Sequence, residues 1–157
     1  MTAVSRPAPP RVTSPDCRRG DGDPARRTPP GQVLTRKGPV LHHGAVPTID
    51  PAAWRLVVDG MVERPLELGF DELRALPAVV LHCDSPCVTR RSRQDCVFTG
   101  VPLVRLLEMA RPMPGALFVI QHASSEPNDA WTTNLPLEDL LVEDAVLALA
   151  EGGEPLA

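Results

Sequence analysis

The chain has 157 residues, 43% apolar and 23% charged, with a formal net charge of −4. That length suffices for one domain with a sizeable core, while the slightly acidic balance excludes a general nucleic-acid binder, which needs a basic surface. Two Trp, three Phe and no Tyr leave too few rings for a base-stacking platform, and no apolar run approaches the roughly 20 residues that span a bilayer.

Residues 1 to about 31 are rich in Pro, Arg, Gly and Asp and offer little to bury. They are expected to form a disordered extension, followed by a single domain over 32–157. Arg18-Arg19 has no apolar stretch behind it, so no export signal is expected. The expected location is cytoplasmic, where thiols stay reduced, and Cys17 is incidental.

WRLVVDG (Trp54–Gly60) alternates Trp54, Leu56 and Val58 against Arg55, Val57 and Asp59, the pattern of a strand ending at a glycine turn. Phe70, Leu73 and Leu76 fall on one helical stripe that Pro77 stops. AVVLH (Ala78–His82) reads as a short strand running into a cysteine-rich segment, and FTGV beyond that segment reads as a turn. Pro102 opens a helix with Leu103, Leu106, Leu107 and Ala110 facing inward and Pro112 past its end. Leu117–His122 reads as a buried strand, with SSEPNDA as a loop, WTTN as a strand, LPLEDLL as a short helix, VLALA as a last strand and EGGEP as a turn. Short strands mixed with short helices indicate an α+β class, β-rich and without a repeat or a glycine-rich phosphate loop.

The segment His82 to Cys96, HCDSPCVTRRSRQDC, holds three of the four cysteines. Three readings are open. Cys83 and Cys96 are each compatible with a small buried hydrophobe. His82, Cys83, Cys87 and Cys96 together offer four zinc donors, although structural zinc sites favour two ligand pairs with a spacing that these residues lack. Cys87 alone is compatible with a reactive thiolate, because Arg90, Arg91 and Arg93 follow it, and cations lower a thiol pKa and attract anions.

Several phrases in order resemble the molybdopterin-binding domain of the sulfite oxidase family, its small bacterial members in particular. They are PPGQVLT (Pro29–Thr35), the run Pro39–Pro77, CVT with SR and TGVPLVRLLE (Cys87–Thr89, Ser92-Arg93 and Thr99–Glu108), WTTNLPLEDLL, and the closing GEPL. The resemblance covers about Pro29 to Ala157. It implies an oxidoreductase that transfers oxygen atoms at a molybdenum–molybdopterin cofactor, with Cys87 as the metal-binding cysteine. It further implies Arg91, one residue from where sulfite-oxidising members carry an anion-binding arginine, as a catalytic group. His42, His43, Thr89 and His122 are implied as cofactor contacts. The substrate would be a small anion and the electron acceptor a separate, unidentified protein.

The bacterial pattern around the metal cysteine reads His-Cys-Val-Thr-Gly-Trp-Ser, whereas this chain reads Pro86-Cys87-Val88-Thr89-Arg90-Arg91-Ser92. Proline removes a backbone donor and fixes φ, and loss of the Trp removes an apolar wall. In the family, a cofactor-gripping stretch follows GEPL; this chain ends first and is expected to be incomplete at its C-terminus. The VLALA strand would then present an open apolar edge for a second copy or a completing chain. The alternative functions are a non-catalytic remnant or accessory chain of the same fold, and a small zinc-binding module.

Overall fold

The computed structural model describes residues 11–12, 23–36, 48–123 and 131–156. His42, His43 and the SSEPNDA loop lie outside them. In chain order the elements are β1 (Arg11–Val12), α1 (Pro24–Arg27), β2 (Val33–Leu34), β3 (Arg55–Val58), β4 (Leu66–Gly69), α2 (Phe70–Ala75), β5 (Val79–Pro86) and β6 (Arg91–Pro102). They continue with α3 (Leu103–Ala110), β7 (Phe118–His122), β8 (Thr132–Pro136), a 3₁₀ turn (Leu137–Leu140), β9 (Val146–Glu151) and β10 (Glu154–Pro155). The fold is mixed and sheet-rich with few short helices. The structure has two compact units, described in turn. No described helix is long and apolar enough to cross a membrane.

The first unit contains described residues 48–77, 101–123 and 131–147. β3 and β4 pair antiparallel, Leu56 opposite Leu68 and Val58 opposite Leu66. The expected alternation holds, with Leu56 and Val58 half-buried between exposed Arg55 and Val57. Trp54 meets Phe70 edge to face with ring centres 5.7 Å apart. α2 starts at Gly69, whose N–H donates to the Glu72 carboxylate at 2.7 Å, the side-chain-to-backbone half of a capping box. Its Leu73 is 1% exposed. α3 buries Leu106, Leu107 and Ala110 and ends at Arg111, which adopts the left-handed conformation just before Pro112. The amide N–H groups of Glu63 and Arg64 donate to the carbonyls of Arg111 and Ala110, so the β3–β4 loop covers the end of that helix. Among the described residues β7 pairs only with β8, and it is exposed along most of its length, with Phe118 at 60% and Ile120 at 62%. The expectation of a buried strand there fails because an apolar sequence on a two-stranded ribbon has no second sheet neighbour among the described residues to cover it.

The second unit contains residues 11–12, 23–36, 78–100 and 148–156. Its sheet runs β1-β5-β6-β9-β10, with β2 pairing parallel to the start of β6. β5 and β6 form a long antiparallel hairpin, and the cysteine-rich segment lies within it. FTGV is therefore not a turn: Thr99 and Gly100 face Val80 and Val79 in the ladder. β9 is half-buried throughout and lies between β6 and β10, so the expected open edge carries a short cover.

Two irregularities shape this hairpin. At its tip the Arg90 N–H donates to the Cys87 carbonyl at 3.0 Å and the Cys87 N–H to the Arg91 carbonyl at 2.9 Å. Arg90 has φ 61°, so Val88, Thr89 and Arg90 make a three-residue loop closed by a left-handed residue. Farther along, Cys83 faces Cys96 but Ser85 faces Arg93, leaving Asp84 opposite both Gln94 and Asp95. This is a β-bulge, and Asp95 carries its left-handed conformation at φ 56°.

The bulge sets two carboxylates side by side, and the Asp95 N–H donates to Asp84 Oδ1 at 3.0 Å. Arg27 bridges both, at 3.2 Å to Asp84 and 3.0 Å to Asp95, and its side chain is only 12% exposed. Residues 23–34 are tied to the hairpin through this contact and the β2 pairing. One guanidinium with two acidic partners supplies what their composition lacks in apolar surface. β2 continues the attachment, with the Val33 N–H donating to the Arg90 carbonyl and the Thr35 N–H to the Ser92 carbonyl, each at 2.9 Å. The Ser92 hydroxyl, on a residue 2% exposed, donates to the Gln32 side-chain oxygen.

Left-handed backbone costs a non-glycine residue about 1–2 kcal/mol, part of which a glycine returns through greater unfolded-state entropy. Arg90→Gly is expected to stabilise the chain by about 0.5 kcal/mol, and Arg90→Val to destabilise it by ~1 kcal/mol or more, in urea unfolding. Arg27→Ala leaves Asp84 and Asp95 to repel each other and should lower the melting temperature by about 5 °C. Asp95→Asn should cost less than Asp84→Asn, because Asp95 is 66% exposed and Asp84 22%.

Candidate metal-thiolate site

Cys87 sits where β5 ends and the three-residue loop begins, half-buried beside Val88, which is 97% exposed. The turn fixes the direction of its side chain, because Cys87 is bonded through both its N–H and its carbonyl. The thiol pKa is held below its ordinary value, first by the Thr89 hydroxyl, which donates to the sulfur, and then by the Thr89 amide N–H. Partial burial opposes the shift; the Val88 N–H and the nearby Arg91 charge add smaller lowering effects. Hydrogen bonds to the charged form are thus the main stabiliser of the thiolate.

That ranking corrects the expectation that the three arginines are responsible. Arg93 is committed to an ion pair with Glu151. Arg91 contributes least to the lowering, and both Arg90 and Arg91 are exposed. They leave two guanidinium groups on the same turn as the sulfur, available to attract an anion.

The structure brings Cys87, Thr89 and Arg91 onto one loop. His122 ends β7 in the other unit and is exposed, while His42 and His43 fall outside the described residues. The zinc reading does not hold: among the described residues no three His, Cys, Asp or Glu side chains gather as a metal site. Cys83 and Cys96 oppose each other within the ladder, and His82 pairs with Val97 on the other face. Cys87 lies beyond the bulge from both cysteines. Cys96 is a buried thiol, 5% exposed, and burial pushes its pKa up.

Sequence reasoning missed Arg27, Gln32 and the β2 backbone, which hold the hairpin behind Cys87. An arginine in a Pro/Arg-rich stretch carries no local signal of burial. Asp95 left a weak signal, since Asp tolerates left-handed backbone better than most residues.

The donor chemistry suits a thiophilic metal. One partly exposed thiol of lowered pKa, oriented by a tight turn, can serve as a single soft thiolate ligand.

Comparison with known proteins gives the family. Residues 43–157 match the oxidoreductase molybdopterin-binding domain family. The chain is 43% identical over 135 residues to the uncharacterized oxidoreductase YuiH of Bacillus subtilis, covering 85% of this chain and 66% of that protein. It is 36% identical over 80 residues to the NADH nitrate reductase of Volvox carteri, covering 46% of this chain and 9% of that protein. The crystal structure of the sulfane dehydrogenase SoxCD from Paracoccus pantotrophus shares the fold with a TM-score of 0.60 at 22% identity, covering 74% of this chain and 33% of that one. The chain therefore spans just under two thirds of the length of YuiH and a small part of the reductase. With the family matched over most of the sequence and the thiol in a setting that suits its chemistry, the chain belongs to the oxidoreductase molybdopterin-binding domain family.

Proposed function

We propose that the chain acts as a molybdenum-cofactor-dependent oxidoreductase of the sulfite oxidase class, with Cys87 as the protein's ligand to the metal. The observation that carries this reading is the setting of Cys87: a half-buried thiol of lowered pKa at the tip of a hairpin, fixed by Thr89 and by a turn whose closing residue is left-handed. When bound, the molybdenum–dithiolene group supplies oxygen-atom transfer coupled to a two-electron redox change.

The chain's own residues have separate tasks in this reading. Cys87 holds the metal through its thiolate. The Thr89 hydroxyl donates to that sulfur and keeps it deprotonated and aimed. Arg90 and Arg91 place positive charge beside it, favouring a small anionic substrate and raising its local concentration. The two histidines of the early segment, His42 and His43, contribute to binding the cofactor's phosphate, and His122 contributes a more distant cofactor contact. Electrons leave to a separate acceptor.

The test is metal and pterin analysis of the full chain purified from a molybdopterin-producing host. Wild type is expected to carry molybdenum near one per chain with equivalent pterin. Cys87→Ser should lose at least tenfold in retained molybdenum, in keeping with the cost of removing a metal ligand or its immediate support. Val88→Ala should retain it. Molybdenum kept by a folded Cys87→Ser chain, or absent from the folded wild type, contradicts the assignment. In the second case the reading passes to a non-catalytic member of the fold.

A further inference from the structure

Cys83 and Cys96 stand directly opposite each other on the antiparallel strands β5 and β6. Residues so paired project to the same side of the sheet, with Cβ atoms ~4.5–5.5 Å apart. A disulfide needs Cα atoms ~4.4–6.8 Å apart and Cβ atoms ~3.5–4.5 Å apart, so only a small closing movement separates this pair from bonding geometry. The ladder breaks immediately after Cys83, at the bulge opposite Asp84, where the strands can shift without losing a full run of hydrogen bonds. Both residues are thiols in this structure.

We propose that Cys83 and Cys96 form a reversible cross-strand disulfide, with a low-molecular-weight disulfide as the oxidant. Cys83, half-buried where Cys96 is 5% exposed, opens the exchange. Its thiolate attacks one sulfur of the reagent, breaking the reagent's S–S bond and releasing one thiol. The Cys96 sulfur then displaces the second reagent thiol from the mixed disulfide and forms the Cys83–Cys96 bond. The two protons of the protein thiols leave on the two released reagent thiols, so the protein loses two electrons and the reagent gains them. Burial pushes the Cys96 thiol pKa up, which suits it to the second, intramolecular step, where proximity compensates for low thiolate content.

The bond does not rest on the molybdenum reading. It does enclose the turn carrying Cys87, since residues 83–96 become a closed covalent ring around it. Oxidation would thereby staple the base of the proposed metal loop.

The experiment incubates the full reduced, folded chain with oxidised glutathione, quenches the exchange with acid, then unfolds the chain in denaturant with iodoacetamide so that every remaining thiol is trapped, and maps the bonded cysteines by peptide fragmentation. The folded chain is expected to show a Cys83–Cys96 cross-link, with Cys87 recovered as an alkylated thiol or as a glutathione mixed disulfide and never bonded to Cys83 or Cys96. The cross-link should be lost in urea, where the strands no longer hold the pair together. It should persist in Cys87→Ser and disappear in Cys83→Ser, which leaves Cys96 alkylatable. Full alkylation of Cys83 and Cys96 in the folded wild type overturns the proposal. So does a bond from Cys87 to either of them, or an equal Cys83–Cys96 yield in urea.

Discussion

The second unit depends on one guanidinium. The β-bulge between β5 and β6 brings Asp84 and Asp95 together, and like charges at that distance would open the ladder where the hairpin twists toward its tip. Arg27 bonds to both carboxylates and to the Gln94 side chain. A few residues on, β2 lies against Arg90–Ser92. These contacts join the early segment to the hairpin at two places, the bulge and the tip. The turn that aims Cys87 is thus held from outside its own sequence.

The chemistry of that turn follows from geometry more than from charge. A run of arginines beside a cysteine invites an electrostatic account of its acidity, yet Arg93 is neutralised by Glu151 and Arg91 adds only a minor effect. The Thr89 hydroxyl and the loop amides do most of the lowering, as donors to a sulfur at a tight turn. The arginines remain a field for an incoming anion. The unfavourable φ of Arg90 is the counterpart of this arrangement: the loop needs a left-handed residue there, a conformation glycine adopts without cost and arginine does not.

The sequence made legible those elements whose periodicity matches their burial. Trp54, Leu56 and Val58 alternate as a half-buried strand should, and Leu106, Leu107 and Ala110 mark the inner stripe of α3 up to the proline stop. The ordered phrases from Pro29 onward identified the family and singled out Cys87. What stayed hidden depends on partners distant in sequence. Arg27 reads as solvated until the bulge places two acids beside it. FTGV reads as a turn until Val79 and Val80 are set opposite Thr99 and Gly100. Phe118 and Ile120 read as core, because apolar alternation does not reveal how many neighbours a strand will have.

The central claim is that Cys87, and not its neighbours, is the thiolate of this domain. It is tested most directly by the pH dependence of alkylation at each cysteine in the folded, reduced, metal-free chain, read by peptide mapping. Only the thiolate reacts, so each rate rises as pH passes through that group's pKa. Cys87 should reach its half-maximal rate below the ordinary thiol value of about 8.5, Cys96 should reach its own above that value, and Thr89→Val should move the Cys87 midpoint upward. A Cys87 midpoint at or above the ordinary value, unmoved by Thr89→Val, would contradict the account.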